Sequence, residues 1–314
     1  MKPNRIRAVP FLLTALCAGA ALWAADAKAP AATTAPPDPA AYRKEVETWR
    51  AKRVEGLKKE DGWLTLVGLY WLKPGENRFG SDPGNPVILP QGKAPGVAGS
   101  LNLEGETVRV NVQPGVGLTA DGKPVTPGMT VSPDASGKPT ILELGSLNFY
   151  VIKRGDRLGV RIKDKTSPML ASFKGIDEFP IRPEWRVVAR FEPYKDKKIP
   201  IANIIGQVSD EKSPGAVVFD WQGKTYRIDA LEGGDDGSLF LVFGDQTNGK
   251  ETYGAGRFLD ADPPKDGKVV VDFNTAYNPP CAFTAFATCP LPPAQNKLAV
   301  RVEAGEKKVA GGHS

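Results

Sequence analysis

Eight polar residues gather in the last third of the chain: Asp245, Thr247, Tyr253, Arg257, Asp272, Asn274, Tyr277 and Asn278. They fall on turns and at the ends of apolar runs, the positions from which a β scaffold presents side chains to ligands. Carboxylate and tyrosine together support acid–base work, and a guanidinium with amides supports recognition of a polar ligand, centred on an Arg257–Asp272–Tyr277 face. The same residues also suit a buried network, with Arg257 paired to Asp245 or Asp272 and the asparagines capping turns. Both readings stay open, and no catalytic residue is assigned.

Other chemistries are excluded. The only histidine is His313, in the tail Gly311-Gly312-His313-Ser314. A Ser–His–Asp relay, a Cys–His pair and a histidine metal site each need imidazole inside the folded body. Cys281 and Cys289, separated by seven residues, lack zinc-pair spacing and companion ligands. In an oxidising compartment they are expected to pair as a disulfide, closing a short proline-flanked loop; two buried free thiols are the alternative. Tyr253-Gly254-Ala255-Gly256-Arg257 carries Gly-x-Gly, but no helix follows to present its N-terminus to phosphate. Asp260, Asp262 and Asp266 approach the spacing of a calcium loop. Pro263 and Pro264 interrupt it, so a solvated turn is expected. No metal and no cofactor is expected.

The elements that must position these residues are mostly strands. One helix is expected over residues 40–62, capped by Asp38, with Pro39 in its first turn and a Tyr42–Val46–Trp49–Leu57 face packed on a sheet. Trp63 to Leu72 is apolar on both alternating faces and reads as a strand covered on each side. Short strands follow at Val87–Leu89, Ser100–Leu103, Val108–Val112, Ile141–Leu144, Leu147–Lys153 and Leu158–Ile162, separated by glycine turns. A second set comprises Trp185–Phe191, Ile199–Ile205, Ala216–Trp221, Thr225–Ala230, Leu239–Phe243, Lys268–Asp272 and Leu298–Val302. The cluster Lys195-Asp196-Lys197-Lys198 between them reads as a solvated loop, and Pro290-Leu291-Pro292-Pro293 as a stiff strap over a sheet. The expected fold is mainly β, with two β-sandwich-like lobes (residues 63–165 and 180–308) preceded by one N-terminal helix.

Residues 1–27 have the form of a secretory signal: Lys2, Arg5 and Arg7, then an apolar run, then Ala25-Asp26-Ala27 as a cleavage site. Residues 28–39 are rich in Ala, Pro and Thr and read as a flexible linker. The formal net charge of +5 includes three cations and one acid from the leader, so removing it leaves +3. That is no electrostatic footprint for nucleic acid. The expected location is periplasmic or secreted, with no membrane span after cleavage.

Two resemblances follow from longer motifs. Asp61-Gly62-Trp63-Leu64-Thr65-Leu66-Val67-Gly68-Leu69, Phe79-Gly80-Ser81, Phe179-Pro180, Trp185-Arg186, Thr252 to Leu259, Asp272-Phe273-Asn274, Ala276 to Thr284, Cys289 to Pro293 and Ala304 to Lys307 together are similar to the domain of unknown function family numbered 1684, over residues 45–308. That resemblance implies no catalytic residue. Asn77 to Leu89, Leu118 to Val125 and Glu143 to Phe149 resemble a forkhead-associated domain, over roughly residues 70–163. Such domains bind phosphothreonine through an arginine after the glycine and an asparagine before the later glycine. Here Ser81 follows Gly80 and Asp121 precedes Gly122, so the fold is implied without the ligand.

The leading functional expectation is an exported protein that binds a small polar ligand or an envelope component. The alternative is a carboxylate-dependent hydrolase of the cell envelope, requiring two acidic groups, among Asp245, Glu251 and Asp272, facing one cleft. A purely structural envelope protein is a third reading and would have no cleft.

Overall fold

The computed structural model of the protein describes residues 38–311. The leader, most of the linker and His313 lie outside them. The first element, α1 (Pro39–Lys58), starts where Asp38 accepts a hydrogen bond from the Ala41 N–H at 2.9 Å, with Pro39 in the first turn. Tyr42, Val46 and Leu57 are buried. The helix stops at Lys58 rather than running to residue 62. The chain then turns back so tightly that a Cβ at Gly62 would collide with the Leu57 carbonyl, and Trp63–Thr65 is a single 3-10 turn.

The first lobe holds β1 (Leu66–Trp71), β2 (Gly75–Gly80), β3 (Val87–Ile88), β4 (Gly99–Glu104), β5 (Thr107–Val112), β6 (Thr119–Ala120), β7 (Lys123–Pro124), β8 (Met129–Val131), β9 (Leu142–Leu144), β10 (Leu147–Arg154) and β11 (Arg157–Asp164). They form two sheets, β1-β11-β10-β9-β6-β7 and β3-β2-β4-β5-β8. The sheets bury a shared core in which the Phe79 and Phe149 rings lie 5.4 Å apart. The strand covered on both faces is β11; β1 is an edge strand, half-buried. Its Trp71 ring is shielded by a long side chain, with the Arg157 guanidinium 4.1 Å above it.

After the short helix α2 (Pro168–Ser172) comes the second lobe: β12 (Arg186–Ala202), β13 (Val208–Trp221), β14 (Lys224–Glu232), β15 (Leu239–Phe243), β16 (Arg257–Ala261) and β17 (Lys268–Asp272). One sheet runs β16-β15-β14-β13-β12-β17. β12 is a single long strand, not two. The lysine cluster is a bulge within it, with the register shifting between Pro193 and Lys197 and Asp196 at φ +50°. Mainly β architecture with one N-terminal helix and sandwich-like lobes is therefore the fold.

The expected strand Leu298–Val302 is irregular coil, although Leu298, Val302 and Ala304 are buried in the second core. A side chain takes the place of a ladder. Arg257, fully buried at the start of β16, donates to the carbonyls of Val302 (2.8 Å) and Ala304, and pairs with Asp245 at 2.6 Å. Asp245 also accepts from the backbone N–H and hydroxyl of Thr247. We expect Asp245→Ala to lose about 3–5 kcal/mol in urea unfolding, because a buried guanidinium is left without its counter-charge. A loss below about 1 kcal/mol would show that the coil is held by packing alone.

Candidate functional site

The outer face of the second sheet, remote from its core, carries the cleft. In a strand residues two apart share a face, so Phe258 and Asp260 of β16 point the same way. Phe240 of β15 stands directly opposite Asp260 in the antiparallel register. Tyr277 extends this edge by exchanging backbone hydrogen bonds with Phe258, at 2.9 and 2.8 Å. Across from it lies one face of α1, with Trp49, Lys52 and Arg53 at i, i+3 and i+4. Trp63 and Pro280 close the ends. The space between is a cleft of about 590 Å³.

Aromatic rings make its walls. Phe240 and Phe258 meet edge to face at 4.8 Å, Phe258 and Tyr277 at 5.8 Å, and Trp49 stands 6.2 Å from Tyr277. Asp260 stands at the rim with one side exposed. Its inner side is cut off from water, which raises its pKa, while the Tyr277 hydroxyl and Arg53 draw it down. Tyr277 donates to Asp260 Oδ2 at 3.0 Å; burial first, then this carboxylate, pushes the phenol well above its usual range.

Arg53 is held from behind. Its Nε meets Glu306 at 3.0 Å, Nη2 donates to the Asn278 carbonyl at 2.9 Å, and the guanidinium lies 4.7 Å over the Tyr277 ring. One turn earlier Arg50 pairs with Glu178 at 2.6 Å. Glu178 and Glu306 face each other across an isolated β-bridge. Burial raises both carboxyls above the usual range, Glu178 to about 7, against the pull of the arginines.

The eight residues singled out from sequence do not share one face. Asp245, Thr247 and Arg257 form the sealed network under the C-terminal coil, their side chains shut off from solvent. Asp272 accepts from the Tyr42 hydroxyl at 2.9 Å and from the Asn274 N–H at 3.0 Å, fixing the start of α1. Buried Asn274 also bonds both backbone groups of Arg182. Asn278, likewise buried, donates its backbone N–H to Glu306 and its amide to the Lys307 carbonyl. Tyr253 is packed in the junction core with Cys281 and Cys289. Tyr277 alone of the eight lines the cleft. Asp245, Glu251 and Asp272 do not face one another across an open space: Glu251 is paired with Arg301 at 2.6 Å, and the other two are engaged as above.

Sequence reading missed Lys52, Arg53, Trp63, Phe240, Phe258 and Pro280 as site residues and took Asp260 for a solvated turn. The alternation Phe258-x-Asp260 and the spacing Trp49-x-x-Lys52-Arg53 were the available signals. The expected disulfide partners are both free thiols, buried side by side, each backbone N–H directed at the other's sulfur at 3.2 and 3.4 Å.

Residues 171–307 match the family model described as a protein of unknown function, DUF1684. The DUF1684 segment contains the strands of the cleft, Tyr277, Pro280 and Glu306. α1 and Trp63, which supply the opposite wall, lie outside it, as do the motifs at Asp61–Leu69 and Phe79–Ser81. The solution structure of an uncharacterized protein from Haloarcula marismortui is 29% identical, covering 44% of this chain and 78% of its own, with a TM-score of 0.38. No curated protein matches.

The ion pairs flanking the cleft carry a pH signature. Glu178 binds its proton more tightly folded than unfolded, so its favourable contribution is complete below the ordinary value of 4.5 and is lost as pH rises toward about 7. Urea midpoints should therefore fall for the native protein relative to Glu178→Gln across this window. A difference between the two proteins that is flat with pH would contradict the raised value.

Proposed function

We propose that the protein is exported and holds a small ligand in the cleft between α1 and the outer face of β15 and β16. One observation carries this reading. Trp49, Trp63, Phe240 and Tyr277 remain half-buried around an open space whose rim bears the Asp260–Tyr277 hydrogen-bonded pair. Few convergent polar groups on an apolar wall, in a space of this volume, are the features of a ligand site. Binding is favoured over carboxylate-pair hydrolysis because Asp260 is, among the described residues, the only carboxylate lining the cleft. Tyr277→Phe keeps the ring and removes the hydroxyl. In ligand-observed NMR with a chemically diverse small-molecule panel, we expect the best binder to weaken about tenfold in this variant. Binders indifferent to Tyr277→Phe, Asp260→Asn and Trp49→Ala alike would place the site elsewhere.

Export is supported by the charged, apolar and small-residue order of residues 1–27. In an oxidising compartment the adjacent thiols of Cys281 and Cys289 form a disulfide, tying the cleft wall at Pro280 to Thr288, whose hydroxyl accepts from Arg154 of the first lobe at 3.2 Å. Fractionation of cells expressing the full chain should find it outside the cytoplasm, starting after Ala27 and two hydrogen atoms lighter than its reduced form. A reduced cytoplasmic protein retaining Met1 would refute both parts.

The first lobe we read as a forkhead-associated-like scaffold without phosphate chemistry. The Ser81 hydroxyl is committed to the Ala94 carbonyl at 2.8 Å, and the Asp121 carboxylate to the Ile141 N–H at 3.1 Å.

A further inference from the structure

We infer that the cleft takes a neutral saccharide, with the apolar face of a pyranose ring against the aromatic wall and its hydroxyl edge at Asp260 and Lys52. This rests on the binding reading above and adds the chemical class. Three classes of small molecule use aromatic-walled sites with charges at the rim: cations, anions, and neutral molecules with one apolar face. The charges around this cleft separate them.

A cationic ligand would seek the electron-rich ring faces beside Asp260. That place is already taken. The Arg53 guanidinium lies 4.7 Å over the Tyr277 ring and 5.9 Å from the Phe283 ring, held there by Glu306 at 3.0 Å, so a second cation would meet it at close range. An anionic ligand would seek Arg53 and Lys52. Arg53 has its counter-charge in Glu306, and the Asp260 carboxylate stands on the same rim, opposing an incoming anion. Arg53 with buried Glu306 behind it, and Lys52 with Asp260 on the rim, balance in formal charge, which leaves no net charge to select an ion.

What is left unfilled is specific. Asp260 uses Oδ2 for the Tyr277 hydroxyl, and among the described residues Oδ1 has no hydrogen-bond donor. Lys52 is exposed and, among the described residues, makes no ion pair. A carboxylate oxygen that accepts and an ammonium that donates, beside half-buried Trp49 and Trp63, fit adjacent hydroxyls on a ring with an apolar face. The polarised C–H groups of a pyranose meet the negative face of an indole, while its hydroxyls carry both donor and acceptor capacity. A flat aromatic ligand would use the walls but leave Asp260 Oδ1 and Lys52 unmatched.

The test titrates the mature protein with cellotetraose and chitotetraose, following tryptophan fluorescence and ligand-observed NMR, with choline and benzoate as cationic and anionic probes. Insoluble cellulose and chitin in a pull-down distinguish a polymer ligand from a free oligosaccharide. At least one saccharide should bind, about tenfold more weakly to Asp260→Asn and to Trp49→Ala, with choline and benzoate inert. Asp260 is exposed, so its variant tests the site even if Trp49→Ala disturbs α1; thermal unfolding checks both. Binding of choline or benzoate without either saccharide, lost in the same variants, would overturn the class and keep the cleft as the site. Saccharide binding untouched by both variants, or no binding by any probe, would overturn the site as well.

Discussion

The buried guanidinium of Arg257 is the constraint on which the second lobe depends. From Lys297 onward the chain packs against the core without joining a strand ladder, so its backbone polar groups need other partners. Isolated backbone contacts such as Leu298 to Gly244 and Glu306 to Ala276 supply some, and Arg257 serves the stretch between: it donates to Val302 and Ala304 and neutralises Asp245, which in turn organises the turn at Thr247. Burying a charge pair is costly, and the fork of a guanidinium offsets part of that cost by serving two carbonyls and a carboxylate at once, with Nε left without a partner among the described residues. The coil fixed in this way delivers Glu306 to a buried position behind the cleft. Glu306 holds Arg53, and Arg53 covers Tyr277. The shape of the exposed site thus descends from a pairing that no solvent reaches.

Much of the architecture could be read from residue pattern. The cap at Asp38, the short strands between glycine turns and the strand Leu239–Phe243 follow from local chemistry that tertiary contacts did not override. The errors lie where a side chain or a long-range contact replaced a local signal. Leu298–Val302 has the alternation of a strand, but its backbone bonds go to Gly244 and Gln246 and, at Val302, to the Arg257 side chain, so no regular ladder forms. Lys195 to Lys198 has the composition of a loop, yet two extra residues are absorbed as a bulge, Pro193 to Lys197 facing Gly215 to Ser213, while pairing continues on either side. The Gly-x-Gly ending at Gly256 has no helix after it to hold phosphate, and its role is structural. The φ of +98° at Gly256 and the close approach of Pro292 show that this glycine lets the proline strap cross next to Phe243.

The candidate site was far less legible, and for one physical reason. Polar residues on turns signal ligands only when the backbone around them is already satisfied. In this lobe long irregular segments lack ladders, so Asp272, Asn274 and Asn278 are consumed in fixing the chain. The residues left to face solvent together are aromatic ones, which composition assigns to a core. Trp49 and Phe240 resemble core residues in sequence; what distinguishes them is that the opposing surface stops short of covering them.

The cleft also has two origins. One wall belongs to the segment that matches DUF1684 and the other to α1, which lies outside it. Joining them requires two arginines on the helix to meet two carboxylates that burial makes reluctant to ionise. The relation is reciprocal. With α1 in place, Arg50 and Arg53 favour the charged carboxylates against burial; without those two guanidinium groups, Glu178 and Glu306 would be driven toward the protonated form and the cation over Tyr277 would be gone. Helix position, carboxylate charge and the electrostatics of the cleft are therefore one equilibrium, and whatever alters one of the three shifts the others.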